Sequence, residues 1–481
     1  MSGFMSGVLG RLGLLTAECD ERAATFLERV GEDNIETIRF AFSDQHGVLR
    51  SKAIAVDAVA SALRNGITVP SSLILKDTSG RTAFSIWEKD AGFGDGAFAG
   101  AADMLLVPDV ESYCNLPWSS HSAWVLCDVV QASGAAIPFA PRTVLRNALD
   151  QMHAKGFDLI CGLEVEFHIF RIVETNLTHE NGGMPGTPPQ TAPLNHGYQL
   201  LNDAAYAASE HILDQLRRTA QEMGLSVRSV EVEFGASQFE FTFAPAPAWD
   251  HANNMVKFRA MVKQVCARAG YHSTFMCRPT NENSVSSGWH LHQSLVDRKT
   301  GENLFIPRGE DLTVHARQWI AGLLTHAGES CLMTTPTVNG YRRFQPHQLA
   351  PDRIQWGHDN RGAMVRAIAA PEDEASRIEN RAGEPAATPH YYIASQILSG
   401  LSGIENKLHP PEPVDMPYDC DAEALPQDLG AAIEAFAAGT LYRTKLGDQF
   451  ADYLANLKQQ EWARYQSEPG GWENREYIDF F

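Results

Sequence analysis

No two of the eight cysteines in this 481-residue chain form a CxxC pair. Neither a structural zinc site nor a disulfide framework is indicated, and a reducing cytoplasm is the expected compartment. No long basic run occurs: 39 Lys and Arg stand against 59 Asp and Glu, for a formal charge of -20. That balance argues against nucleic acid and against an anionic membrane surface as partners. Local arginines can still meet a small anionic substrate. No stretch approaches the length and apolarity of a membrane span. The opening MSGFMSGVLGRLGLLTAE lacks the basic region that precedes the apolar run of a signal peptide. Internal repeats and low-complexity segments are missing. So are the GxxxxGK[ST] loop and the kinase HRD and DFG set, which removes both of those phosphoryl-transfer classes.

What is there is an ordinary globular composition, 44% hydrophobic and 20% charged, long enough for two or three domains. Residues 17–30 read as a helix that stops at Gly31. Ile38, Phe40 and Phe42 alternate with polar or small residues as in a strand, and the 44–47 turn lets 48–54 return as its hairpin partner. A short helix is expected over 57–63, a strand over 104–110 and an amphipathic helix over 143–155. Residues 174–197 read as a loop, 204–223 as a helix and 428–465 as a mostly helical tail. The organisation expected is α+β: a helical segment over 1–34, a small α+β domain over 35–135 and a large domain over 136–481.

One stretch organises the rest. In LEVEF, residues 163–167, a strand period of two puts Glu164 and Glu166 on one face and Leu163, Val165 and Phe167 on the other. Alone, this is most simply a strand with a solvated acidic face. Later strands repeat the peculiarity. VEVEFGASQFEFTF sets Glu231 and Glu233 on one face and, after a turn at 235–237, Gln238 and Glu240 on one face with Phe239, Phe241 and Phe243 on the other. SSGWHLHQSL pairs His290 with His292, and SRIENR aligns Arg377, Glu379 and Arg381. Several strands, each burying an apolar face, thus offer carboxylates, imidazoles and arginines on the other. Carboxylates with a histidine or two suit Mg²⁺ or Mn²⁺ better than zinc. Arginines bind carboxylate or phosphate in a bidentate fashion. Together they are the equipment of phosphoryl transfer.

The ordered motifs ExE, ExxxxQxE, SGxHxHxSL, NxYRR, NRxxxxR and RIExR resemble those of the glutamine synthetase family. The resemblance implies a small N-terminal β-grasp domain and a large catalytic domain. It also implies a homo-oligomer of stacked rings, a dodecamer, with each active site between two subunits. It implies ATP, glutamate and an amine as substrates, and two to three Mg²⁺ or Mn²⁺ per active site. Residue by residue, Glu166, Glu233 and Glu240 match the ligands of the metal nearer glutamate, and Glu164, His290 and Glu379 those of the metal nearer the ATP phosphates. Arg343 and Arg381 match the arginines that meet glutamate and the transferred phosphoryl group, and Arg361 a transition-state arginine. Arg366, Arg377 and Ser294 match nucleotide contacts, with His292 beside the phosphates. Ser286 and Gly288 lie at the glutamate end, and Asn339 and Tyr341 lead into the flap over the site.

Two departures stand out. The family's flap glutamate, which helps hold ammonium and take its proton, is matched here by Leu349, and the Asn-Gly expected near Val285 and Ser286 is absent. The aspartate that helps bind ammonium has only Asp77 as its nearest candidate. A leucine neither attracts a cation nor accepts a proton, so the amine pocket is expected to favour an amine with an apolar body. An aromatic amine is already neutral at cellular pH. The resemblance is therefore to the γ-glutamylamide synthetase branch, with γ-glutamylanilide formation as one form. An ordinary ammonium-using glutamine synthetase and an inactive structural or sensing member of the fold are the alternatives.

Overall fold

The computed structural model describes residues 3–89, 96–280, 283–309, 311–468 and 470–481. Strands β1 (Thr37–Ser43) and β2 (Leu49–Ala55) form the expected hairpin. Asp44 makes its turn by accepting from the backbone N–H of His46 and Val48, both at 2.9 Å. Gly47, at φ +72°, takes the left-handed position that a side chain would strain. With β3 (Ile67–Pro70), β4 (Asp103–Pro108), β5 (Cys114–Asn115) and β6 (Ser122–Gln131) these strands make a mixed sheet in the order β2-β1-β6-β4-β3, with β5 on β6. β1 and β6 are its parallel pair. The helix Val59–Asn65 buries Val59, Ala62 and Leu63 beside it. This is the small N-terminal sheet, β-grasp in kind. Ahead of it, the helix Ala17–Glu32 sets Phe26 edge-on against Tyr113, centroids 5.4 Å apart.

The helix Pro141–Ala154 starts two residues before the expected 143, because proline at the first helical position lacks only an N–H that would be unpaired there. It leads into β7 (Phe157–Glu174), an 18-residue strand that is the spine of the second sheet. The remaining strands are β8 (Gln190–Pro193), β9 (Val227–Val232), β10 (Gln238–Phe243), β11 (Ala246–Pro247), β12 (Tyr271–Thr274), β13 (Trp289–Asp297), β14 (Trp356–His358), β15 (Val365–Ile368) and β16 (Arg377–Asn380). Their main order is β14-β15-β16-β13-β7-β10-β9, and β7 is long enough to pair with β8, β11 and β12 as well. The 174–197 segment, expected to be a loop, thus contains β8; its Gln, Thr, Ala and Pro residues lack the apolar alternation that announces a strand.

One face of this sheet is apolar. Leu163, Val165, Phe167, Phe239, Phe241, Phe243, Leu291 and Leu295 are all buried there. Phe167 stacks on Phe275 at 4.8 Å and meets Phe241 and Phe258. Burial of each such side chain contributes about 1.5–3 kcal/mol, which anchors the strands and leaves their opposite face free for polar work. The helices Ala248–Arg268 and Pro389–Glu405 pack under it, the latter with every residue from Pro389 to Gly403 buried. The apolar core runs without a break between the two sheets, so the boundary at 135 is not a gap in packing. Among the described residues no helix is long and apolar enough to cross a membrane.

Candidate functional site

Strand register assembles the site. β10 pairs with β7 so that Glu240 faces Glu166, and β13 pairs with β7 so that His290 faces Glu164 and His292 faces Gly162. β16 pairs with β13 so that His292 faces Glu379, and β15 pairs with β16 so that Arg366 faces Glu379. Like charges directly opposite each other destabilise a sheet. The Glu166–Glu240 pair is therefore kept for something other than stability.

Hydrogen bonds fix the two imidazoles. Arg343 Nη2 donates to His290 Nε2 at 3.0 Å, which leaves the ring proton on Nδ1, where it donates to Glu164 Oε1 at 2.7 Å. Arg377 Nε donates to His292 Nδ1 at 3.1 Å, so His292 Nε2 donates to Glu164 Oε2, also at 3.1 Å. Glu166 accepts from the Gly288 N–H at 2.9 Å and from Gln238 Nε2 at 3.0 Å. Gly288 leaves room for both side chains: a Cβ there would lie 2.6 Å from Arg343 Nη2 and 2.8 Å from His290 Nε2, and these side chains would have to shift.

The electrostatics mark a site short of positive charge on one side. Burial, with the charges of Glu164, Glu166 and Glu233 beside it, pushes Glu240 up to about 11. Burial and Glu233 push Glu166 up to about 8, and burial raises Glu233. On the other side burial is outweighed. His290 and His292 hold Glu164 well below the usual carboxylate range, and Arg381 with the two histidines brings Glu379 down to about 2. Burial and Arg381 lower His290 to about 4. Two sets of ligand atoms, from Glu164, Glu240 and His290 and from Glu164, His292 and Glu379, each lie within 4.8 Å of one another. Oxygen-rich donors of this kind fit a hard divalent cation, and Glu240 in the first set lacks a compensating charge. His292 joins Glu379 in the second set, and neither set includes Glu166 or Glu233, although Glu166 Oε1 lies 3.8 Å from His290 Nε2. The reason is local: Glu166 is turned onto Gly288 and Gln238, and Glu233 onto the N–H of Phe234 at 3.2 Å.

A pH effect follows. Groups whose pKa is raised on folding stabilise the fold below their ordinary pKa and lose that contribution as pH rises through the folded value. For Glu166 and Glu240 that window opens near the ordinary 4.5 and closes at about 8 and about 11. The metal-free protein should therefore lose stability between pH 6 and 8. Mg²⁺, which replaces those protons, should raise the melting temperature by a few degrees more at pH 8 than at pH 6. Scanning calorimetry in chelator and in Mg²⁺ at both pH values checks this.

Beside the carboxylates lies a cavity of about 440 Å³ lined by Glu164, His292, Ser294, Arg377, Asn303, Arg228 and the edge of Phe243. Three of the expected nucleotide residues, His292, Ser294 and Arg377, are in its wall. Arg366 is not among the lining residues: it donates to Glu379 Oε2 at 3.0 Å and is paired with Asp359. Arg381 is a junction. Its fork is paired with Glu379, and it donates to the carbonyls of Arg361 at 3.0 Å and Leu349 at 3.2 Å. Arg343 Nη1 donates to the Arg381 carbonyl at 2.6 Å. Arg361 is exposed, and its backbone carbonyl is held by Arg381. Ser286 offers its carbonyl to Gln238 Nε2 at 3.2 Å, and the Ser287 hydroxyl takes the same donor at 3.0 Å. Asn339 ties its segment to Arg278 and to Glu473, and Tyr341 is buried.

The flap and the N-terminal aspartate behave differently. Residues 345–349 are exposed, and Leu349 is 62% exposed at φ +52° with its carbonyl on Arg381. The leucine is thus joined to the cluster through its backbone. The structure does not bring Asp77 there within its own chain: its carboxylate closes the 77–81 turn and pairs with Arg464 at 3.0 Å.

Three neighbours, Arg228, Phe234 and Tyr418, are not among the fixed positions of the motifs, and one motif residue has a role of its own. Gln238, the Gln of ExxxxQxE, helps orient Glu166 through its Nε2. Arg228 enters the cavity wall from β9. Phe234, 44% exposed, meets Tyr198 edge-on at 5.1 Å next to Glu233. Tyr418 packs on the flap. The one signal available was Phe234, a bare aromatic directly after an expected metal ligand.

Residues 138–477 match the family model described as "Glutamine synthetase, catalytic domain". Over the whole chain the similarity is to γ-glutamylanilide synthase of Acinetobacter sp, 38% identical over 97% of each chain. Glutamine synthetase of Halobacterium salinarum is 30% identical, over 96% of this chain and 97% of its own. Glutamate–isopropylamine ligase of Pseudomonas sp is 27% identical, over 94% and 96%. Among solved structures, apo GmaS superposes with a TM-score of 0.78 at 28% identity, over 93% of this chain and 98% of that one.

Proposed function

Given that the chain belongs to the glutamine synthetase family, we propose that it uses ATP to join the γ-carboxylate of glutamate to an organic amine, with an aromatic amine such as aniline as the preferred partner. The family's chemistry is a ligase's and draws on ATP and divalent cations. Bound Mg²⁺ or Mn²⁺ would be held by Glu164, Glu166, Glu233, Glu240, His290 and Glu379, and supplies positive charge to offset that of the phosphates.

The chain's own residues do the rest. His292, Ser294 and Arg377 take the nucleotide phosphates in the cavity, which brings the terminal phosphorus toward Glu164. Arg343 and Arg381 orient the γ-carboxylate by bidentate hydrogen bonds, with Ser286 and Gly288 at the other end of the glutamate. A carboxylate oxygen bonds to the terminal phosphorus as the bond to ADP breaks. The amine nitrogen then bonds to the acyl carbon, phosphate departs with the C–O electron pair, and the nitrogen sheds a proton. Arg361 would meet charge on the moving phosphoryl group.

Leu349 carries the finer reading. Its carbonyl rests on Arg381 and its apolar side chain is exposed at the flap. The exposed Phe234 and Tyr198 beside Glu233 add aromatic surface. Ammonium needs an anionic pocket and a base; an aromatic amine arrives neutral and is better served by apolar walls. The names of the Acinetobacter and Pseudomonas relatives support an organic amine. The same reading takes the active oligomer to be a dodecamer of stacked rings, as membership of the family implies. Phosphate release with glutamate, ATP and one amine at a time (ammonium, ethylamine, putrescine or aniline) tests the substrate. Aniline should be fastest; best turnover with ammonium would return the protein to ordinary glutamine synthesis.

A further inference from the structure

The flap is a chain of exposed residues attached to the body at two adjacent carbonyls. Arg381 Nη2 holds the Leu349 carbonyl at 3.2 Å, and the Tyr418 hydroxyl donates to the Ala350 carbonyl at 3.1 Å. The Tyr418 ring also packs on His347, centroids 4.8 Å apart. His347 and Leu349 both have positive φ, +61° and +52°. Left-handed backbone is unfavourable for residues with a Cβ, so the turn persists only because something fastens it.

Tyr418 is itself fastened to the loop that carries Arg361. A Cβ on Gly362 would lie 3.2 Å from the Tyr418 ring and 2.6 Å from Pro417. Gln355 Nε2 donates to the Pro417 carbonyl at 2.6 Å, and Asn360 Nδ2 to the Val414 and Asp415 carbonyls at 3.2 and 3.1 Å. Residues 414–418 therefore form a strap against both the flap and the Arg361 loop.

The two carbonyl anchors are not equivalent. Arg381 is a charged fork that the proposed reaction assigns to glutamate and the moving phosphoryl group, and a guanidinium turned to those groups has fewer donors left for Leu349. Tyr418 touches neither the carboxylates nor the nucleotide cavity and is free to stay. We propose, on the basis of that reading of the reaction, that Tyr418 is a positioning residue: it keeps the flap closed while γ-glutamyl phosphate waits for the amine. With the flap loose, water would take the amine's place. Its oxygen bonds to the acyl carbon, the acyl C–O bond to phosphate breaks, and glutamate and phosphate are returned, for a net hydrolysis of ATP.

The readout is the ratio of amide formed to ADP formed, measured in one assay with saturating glutamate, ATP and amine. Wild type should hold the ratio near one. Tyr418→Ala should lower it roughly three- to tenfold, the effect of losing one hydrogen bond and a ring contact, and raise KM for the amine more than it lowers kcat for ADP release. Tyr418→Phe should fall between. His347→Ala should lower the ratio too, and His347→Phe, which keeps a ring against Tyr418 but no imidazole, should restore it. A wild-type ratio in Tyr418→Ala would overturn the proposal. Should that variant not fold, a wild-type ratio in His347→Ala would do the same. Wild-type protein that formed no amide with any amine would instead overturn the reading of the reaction, so the two failures are distinguishable.

Discussion

Glu240→Gln is expected to lower turnover on the order of a thousandfold while leaving the metal-free protein as stable as before. The two halves have one origin. Glu240 sits directly opposite Glu166 across β10 and β7, with burial and neighbouring carboxylates pushing its pKa up to about 11. At neutral pH in chelator it carries its proton, and glutamine has nearly the same shape and charge as that protonated acid. The melting temperature in chelator should therefore stay put. The amide cannot supply the negative oxygen that a hard cation needs, so the rise produced by Mg²⁺ should shrink together with kcat. Calorimetry with and without Mg²⁺, beside a phosphate-release assay, reads both. Near-normal turnover in this variant would remove Glu240 from the proposed ligand set.

Leu349→Glu is expected to shift the preference between ammonium and aniline by roughly ten- to a hundredfold toward ammonium. The new carboxylate would stand on a flap whose backbone already rests on Arg381. It would favour a cation there and could take the proton that ammonium must lose before it becomes a nucleophile. Aniline gains nothing from either effect and loses an apolar wall. The measurement is kcat/KM for each amine in both proteins. An unchanged profile would mean that residue 349 does not face the amine.

What was legible in the chain divides along physical lines. The alternation of Phe239, Phe241 and Phe243 with Gln238 and Glu240 announced β10 and its two faces, because a strand half in the core writes its period into the sequence. The 44–47 turn was readable for an equally local reason. The carboxylates and histidines could be grouped in advance because each came from an alternating strand, and the register then set Glu164 against His290 and Glu166 against Glu240.

Partners chosen by tertiary packing were not readable. Nothing near Asp77 foretells that Arg464 pairs with it. Nothing in NRGAMVR tells that Arg366 lies on Glu379 and outside the wall of the nucleotide cavity. Tyr418 reaches the flap from a segment far downstream, and the exposure of Phe234 beside Glu233 is set by tertiary packing. Leu349 stood out early for the opposite reason: a single residue type decides whether that position can hold a charge.

The most direct test of the amine assignment is a competition in one vessel. With glutamate, ATP and Mg²⁺ at saturation and ammonium and aniline at equal concentrations, the ratio of γ-glutamylanilide to glutamine is read by mass spectrometry. γ-Glutamylanilide is expected as the main product. An excess of glutamine would contradict it.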